Sequence, residues 1–167
     1  KNAKAGKEAY IILKLNNLVD EALVKKLYDA SKAGVKVKLI IRGICSLVPG
    51  VKGLSENIQV TSIVDRFLEH ARILVFCNDG NELFFITSAD WMTRNLDNRI
   101  EVGVPIYDKS LQKILRKLLN LQLADNVKAR RIDAAGLNRY VKQDGKAIRS
   151  QISTYNYFKT KLEKLEL

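Results

Sequence analysis

The sequence predicts an α/β fold built on a mixed β-sheet. Three observations carry that prediction. Residues 8–43 read as strand, helix, strand with short turns, a unit whose two strands run parallel. Residues 72–76 and 82–88 are apolar runs on either side of Asp79-Gly80, a dipeptide that favours the tight turn of an antiparallel hairpin. Residues 110–123 place Leu111, Ile114, Leu115, Leu118 and Leu119 on one helical stripe, which needs an apolar surface to cover.

Taken in order, EAYIILKLN (8–16) alternates Ile11, Leu13 and Leu15 with Ile12 and Lys14, as a strand does. In DEALVKKLYDASKAG (20–34), Asp20 can accept hydrogen bonds from first-turn amides. Val19, Leu23, Leu27 and Ala30 share a face, and Gly34 stops the helix. VKVKLIIRG (35–43) alternates and then turns wholly apolar at Leu39-Ile40-Ile41, the mark of a buried strand. CSLVPGVKGLSEN (45–57), punctuated by Pro49, Gly50 and Gly53, is a loop. IQVTSIV (58–64) is a short strand, and RIEVGVPIY (99–107) is another, with Ile100, Val102, Val104 and Ile106 alternating. NVKARRI supplies a last strand. SQISTYNYFKTKLEKLEL (150–167) sets Ile152, Tyr155, Phe158, Leu162 and Leu165 on one helical stripe, with Tyr155 and Phe158 expected in the core. No repeat or low-complexity tract interrupts the pattern, so residues 1–167 are expected to form a single domain.

A chain of 167 residues, 47% hydrophobic and 28% charged, can bury a core. No apolar run approaches the roughly 18 residues of a membrane span. The N-terminal KNAKAGKEAY lacks the apolar segment of a secretory signal. The expectation is a cytoplasmic protein, with peripheral membrane association left open. The first residue is Lys and the sole methionine is Met92, so a piece of a longer protein is expected. Two cysteines and one histidine make no zinc ligand set. The net charge of +11 favours anionic partners, and it is uneven. Residues 1–108 carry 15 basic and 13 acidic groups, a net +2, whereas residues 109–167 carry 14 and 5, a net +9. The basic segment is either a set of solvated helix faces or a surface that attracts a long polyanion.

Ligands of α/β folds gather at loops on the carboxyl ends of strands. Arg42-Gly43 follows directly on a buried strand. A guanidinium there can grip phosphate oxygens bidentately, or pair with a local carboxylate, and the glycine lets another group come close. His70, the only histidine, stands near a strand start, where its imidazole can exchange a proton or simply bond to the backbone. FITSADWMTRNLDNR (85–99) leaves a strand through Thr87, Ser88 and Asp90 and then presents Arg94, Asn95 and Arg99, a set that suits an oxyanion. A helix N-cap by Ser88 or Asp90 fits the same residues.

The strings IIRGIC, PGVKGLSENI, SIVDRFLEHARI and SADWMTRNLDNRIEV occur here in one order and spacing. Over roughly residues 8–125 the chain closely resembles the C-terminal catalytic half of the polyphosphate kinase family. That resemblance implies reversible transfer of the terminal phosphate of ATP to inorganic polyphosphate, with magnesium held mainly outside this chain. It implies a phospholipase D-like fold, with helices on both faces of the mixed sheet, and identifies the chain with the second of two related C-terminal domains. The phosphohistidine of the family belongs to the first of these, so the isolated chain is expected to be inactive. The implied partners are ATP and ADP, polyphosphate and the other domains of the same polypeptide, in a homo-oligomer; no nucleic acid is expected. By the same resemblance Arg42 matches an arginine that binds the nucleotide's phosphates. His70 matches an active-site histidine that contacts ATP, and is both the catalytic and a nucleotide-binding candidate. Arg66, Arg72, Arg94 and Arg99 rank below them for a polyphosphate path, because Asp65, Glu69, Asp97 and Glu101 can neutralise them.

Phospholipase D enzymes use HxKxxxxD and a GSxN-like turn. Here that frame reads His70, Arg72 and Cys77, and the turn reads Thr87-Ser88-Ala89-Asp90. These changes disfavour a phosphodiesterase. A nucleic-acid-binding module would want stacking aromatics among the basic groups, and the tail offers Tyr140, Tyr155, Tyr157 and Phe158.

Overall fold

A computed structural model of the protein describes residues 1–142 and 145–165. Its strands are β1 (Tyr10–Leu15), β2 (Lys36–Ile41), β3 (Ile58–Ile63), β4 (Ile73–Phe76), β5 (Leu83–Thr87), β6 (Gly103–Ile106) and β7 (Ala129–Ile132). Its helices are α1 (Glu21–Lys32), α2 (Thr93–Asp97), α3 (Lys109–Leu123) and α4 (Ser150–Glu163). The strands form one sheet in the order β6-β5-β4-β1-β2-β3-β7. The predicted βαβ unit makes β1 and β2 parallel, with Leu13 beside Leu39, and β3 continues the parallel set. β4 joins the other side of β1 antiparallel, Leu13 beside Leu74, and β5 and β6 follow by antiparallel pairing. β1 is therefore the seam between a parallel and an antiparallel half.

Strand alternation divides the apolar residues between two faces. Leu13, Leu15, Leu39, Ile41 and Val60 lie beneath Val24 and Leu27 of α1. Ile12, Ile40, Ile73, Val75 and Phe84 lie beneath Leu119 of α3. Each such side chain contributes on the order of 1.5–3 kcal/mol when fully buried. Asp20 caps α1 by accepting from the Leu23 amide (2.9 Å), and Asp108 caps α3 through Ser110 and Leu111, each cap worth about 1 kcal/mol. The β4–β5 turn is as expected. Asn78, Asp79 and Gly80 all take left-handed backbone angles, and Lys7 fixes Asp79 at 2.7 Å.

Three expectations fail for identifiable reasons. The strand predicted at 99–107 is only Gly103–Ile106, and Ile100 is fully exposed. β5 ends at Thr87, so the residues before Gly103 have no strand to pair with; Ser88 and Val102 instead bond to each other. The N-cap predicted at Ser88 or Asp90 does not form. α2 starts at Thr93 without a side-chain cap, because Ser88 bonds Glu101 and Asp90 faces inward to an arginine. Finally, the stripe on the last helix points outward: Tyr155 and Leu162 are 63% and 59% exposed, and Phe158 is exposed too. Polar tethers at the start of α4 fix its rotation. The Ser150 amide donates to Asp125 Oδ2 (2.7 Å), and Arg149 clamps Asp65. They leave Ser150 and Gln151 as the buried face. Residues 166 and 167 of that predicted helix lie outside the described residues.

Candidate active site

β2 ends at Ile41, so the chain leaves the sheet through Arg42 at the carboxyl end of the parallel strands. β4 runs the other way and begins at Ile73, so residues 64–72 arrive at the same end on the other side of β1. This topology, with residues 28 apart in sequence, brings Arg42 Nη2 to 3.4 Å from His70 Nδ1. Arg72 holds the opposite edge of the ring: its Nη2 is 3.1 Å from His70 Nε2, and its Nη1 donates to the His70 carbonyl at 3.2 Å. A guanidinium only donates, and a neutral imidazole accepts at one nitrogen. The shorter contact fits acceptance from Arg72 at Nε2, with the proton on Nδ1. Two donors, Arg42 Nη2 and His70 Nδ1–H, then face each other without an acceptor. Arg42 Nη1 is buried and has no partner among the described residues.

Arg72 is itself fixed from behind. Asp90 Oδ1 accepts from Arg72 Nε (3.0 Å) and from the amides of Asn16 (2.8 Å) and Asn17 (3.1 Å). Asp90 Oδ2 accepts from Arg72 Nη2 and Asn17 Nδ2, both at 3.1 Å. Burial alone would raise the Asp90 carboxyl pKa. The Arg72 guanidinium and the asparagine groups outweigh it and hold the carboxyl below its ordinary range. Asn17 also receives the Ile44 amide on its Oδ1 (2.9 Å), which orders the chain just past Arg42. Gly43 is required there: a Cβ would stand 2.6 Å from Asn17 Oδ1 and 3.0 Å from the Asn16 carbonyl.

The loop carrying His70 is tied down residue by residue. Asp65 accepts from Arg149 at 2.6 and 2.8 Å, and this pairing holds its carboxyl below the usual range. Gln151 pairs reciprocally with the Phe67 backbone, accepting from its amide (2.9 Å) and donating to its carbonyl (2.8 Å). Glu69 accepts from Lys14, a buried lysine, at 2.8 Å and from Gln122.

Of the second-rank arginines, only Arg72 joins the pair, and its carboxylate is Asp90 rather than a neighbour in sequence. Arg66 lies 5.6 Å over the Phe67 ring. No hydrogen bond or ion pair ties Arg66, Arg94 or Arg99 to Arg42 or His70 among the described residues. Cys77, third in the phospholipase D frame, is buried at the far end of β4 with its thiol on the Glu8 carbonyl. Sequence reasoning missed Asn16, Asn17 and Gln151. The asparagine pair directly after a strand was the available signal; Gln151 offered none. A cavity of about 590 Å³ opens at the amino ends of β1 and β2, beside Tyr10, Lys36, Lys38 and Arg116, and touches neither Arg42 nor His70.

Residues 1–151 match the family model described as polyphosphate kinase C-terminal domain 2. The chain belongs to the polyphosphate kinase family. It is 59% identical over 159 residues to the polyphosphate kinase of Vibrio cholerae, covering 95% of this chain and 23% of that protein. It is 48% identical over 160 residues to the polyphosphate kinase of Escherichia coli K12, with the same coverage. The chain thus spans about a quarter of the length of these relatives. The crystal structure of the polyphosphate kinase from Porphyromonas gingivalis matches with a TM-score of 0.95 at 49% identity, covering 98% of this chain and 25% of that one. NucT from Helicobacter pylori, 13% identical, matches with a TM-score of 0.55 over 73% of this chain and 82% of its own. Nuc from Salmonella typhimurium, a phospholipase D family member 14% identical, gives 0.57 over 78% and 86%. Polyphosphate kinase domain 2 therefore has the phospholipase D-like fold read from the sequence.

Proposed function

We propose that this domain supplies the groups that hold the phosphates of ATP in a polyphosphate kinase reaction, reversible transfer of the terminal phosphate of ATP to inorganic polyphosphate. The observation that carries this reading is the Arg42–His70 pair, 3.4 Å apart at the carboxyl end of the parallel strands, with a buried Arg42 Nη1 unpartnered among the described residues. An oxygen-rich anion with several acceptors resolves that arrangement.

The relevant chemistry has two steps. The bond from the γ-phosphorus to the bridging oxygen breaks as a histidine nitrogen outside this chain bonds to phosphorus, and ADP leaves with the electron pair. The phosphoryl group then passes from that nitrogen to a terminal oxygen of polyphosphate. Both steps gain most from positioning and from neutralising spread negative charge. Arg42 Nη1 and Nη2 grip phosphate oxygens and set the γ-phosphorus in line with the external nucleophile. His70 donates from Nδ1 to an oxygen on which charge develops. Arg72 holds the ring at Nε2 and the backbone at the His70 carbonyl, so the donor keeps its aim, and Asp90 holds Arg72. For magnesium the local donor set does not fit: Asp90 is consumed by Arg72, Asn16 and Asn17, and Glu69 by Lys14 and Gln122. No step is routed through the metal on this chain.

The test is steady-state kinetics in both directions. Arg42→Ala in the protein lowers kcat/KM for ATP, and for ADP in reverse, about 100- to 1000-fold. Unchanged values in both directions refute the assignment. His70→Gln with normal activity across pH removes His70 from the mechanism.

A further inference from the structure

A second cationic feature lies apart from Arg42 and His70, between α3 and α4. It is an open groove of about 560 Å³, lined by Lys117 of α3 and by Lys161 and Lys164 at the end of α4. Ser153, Asn156 and Thr160 of α4 line it too, with Leu121 of α3 and Tyr157 of α4. No described lining residue is acidic, and none of the three lysines has a hydrogen-bond or ion-pair partner among the described residues. Three ammoniums without a partner among the described residues, beside hydroxyl and amide groups of α4, describe an anion-binding strip. From Ser153 to Lys164 it extends about 17 Å at a helical rise of about 1.5 Å per residue. Its near end lies within one turn of Gln151, which bonds the loop carrying His70.

We propose that this groove binds a linear run of inorganic polyphosphate outside the reaction centre and keeps a growing or shrinking chain attached beside it. The identity of the anion rests on the polyphosphate kinase reading above; the groove itself rests on its own charges. Ammonium groups on flexible stems suit a ligand that slides, because they fix no register. A single-stranded nucleic acid is the other polyanion of this shape, and it asks for exposed rings on which bases stack. The groove offers one ring, Tyr157, and that ring is packed edge-on against Phe158 at 5.2 Å.

The test is equilibrium binding of long-chain inorganic polyphosphate to the protein at a series of salt concentrations. The triple variant Lys117→Gln, Lys161→Gln, Lys164→Gln is expected to weaken binding at least tenfold. It should also flatten the slope of log K against log salt by about 2, the share of three released counterions. A matched triple of exposed lysines elsewhere, Lys26→Gln, Lys32→Gln, Lys52→Gln, should change affinity less than twofold. Replacing the groove lysines by arginine should keep binding, which separates lost charge from lost fold. Equal losses in the two glutamine triples overturn the proposal, because the attraction is then spread over the whole surface. So does a single-stranded oligonucleotide of equal charge that binds as tightly as polyphosphate and is lost with the same triple. Arg42→Ala is read in the kinetics for ATP, and the groove triple in equilibrium binding of the long chain. Failure of the groove and failure of the ATP-site assignment are therefore read on different variants.

Discussion

The carboxyl end of β1 and the groove between α3 and α4 are both cationic, and they hold their charges in opposite ways. At the first, Arg72 is locked by four contacts to Asp90 and His70, Asp90 by two asparagines, and Arg42 projects from a strand end that tolerates no side chain at position 43. In the groove, Lys117, Lys161 and Lys164 have no partner among the described residues. Fixed donors suit a step in which one phosphorus must be aimed; loose ammoniums suit a ligand whose position along its own length does not matter. The difference is one of preorganisation rather than of charge.

The sharpest way to break that comparison is to unlock the fixed end. Asp90→Ala strands a mostly buried Arg72 without its counter-charge, which costs about 3–5 kcal/mol. Denaturant unfolding measures this, and a loss below 1 kcal/mol means the lock is not holding. Asp125→Ala comes next. This buried carboxylate accepts from the amides of Val127, Lys128, Ala129 and Ser150, and so ties β7 and α4 together. A loss of about 2–3 kcal/mol is expected from stranding several buried amides, and kcat should fall with it as the His70 loop loses Gln151.

Acid sharpens the contrast further. Asp90 and Asp125 are both pushed up by burial and pulled down further by their donors, and Asp65 is pulled down by Arg149, so all three have lowered pKa values in the fold. A lowered folded value means stability that is complete above the unfolded value, about 4, and is lost as pH falls through the folded values. The unfolding midpoint should therefore be flat from neutral pH to about 5 and drop below about 4. A midpoint that falls between pH 7 and 5 contradicts the assignment. The smallest effect belongs to the loose end: Lys161→Gln alone should weaken polyphosphate binding about twofold, as one exposed charge does. It should leave the melting temperature unchanged.

How much of this was legible in the sequence depended on range. The βαβ unit, the turn at Asp79-Gly80 and the apolar stripe of α3 are written in residues a few positions apart, and they formed as read, except that Leu111 at the start of the stripe stays exposed. Arg42 and His70 were placed by their strand ends and by long strings shared with a family. The web behind them was not legible. Asp90 meets Asn16 and Asn17 across more than seventy residues, and nothing near Asp90 marks it as anything but a turn or cap residue. The rotation of α4 was misread for the same reason. Its apolar stripe argued for burial, while Asp65, Asp125 and Phe67, all distant in sequence, took hold of its first residues and turned the stripe away.

The seam at β1 has a mechanical consequence. Arg42 belongs to the parallel strands and His70 to the antiparallel ones, yet both cores run across the seam: Ile40 packs with Ile73, Val75 and Phe84 on one face, and Leu74 and Phe76 pack against the cluster of Leu39 and Ile41 on the other. The spacing of the two donors is therefore held by packing from both faces of one sheet, and Asp90, gripping the first turn after β1 with one side and Arg72 with the other, holds it from the loops.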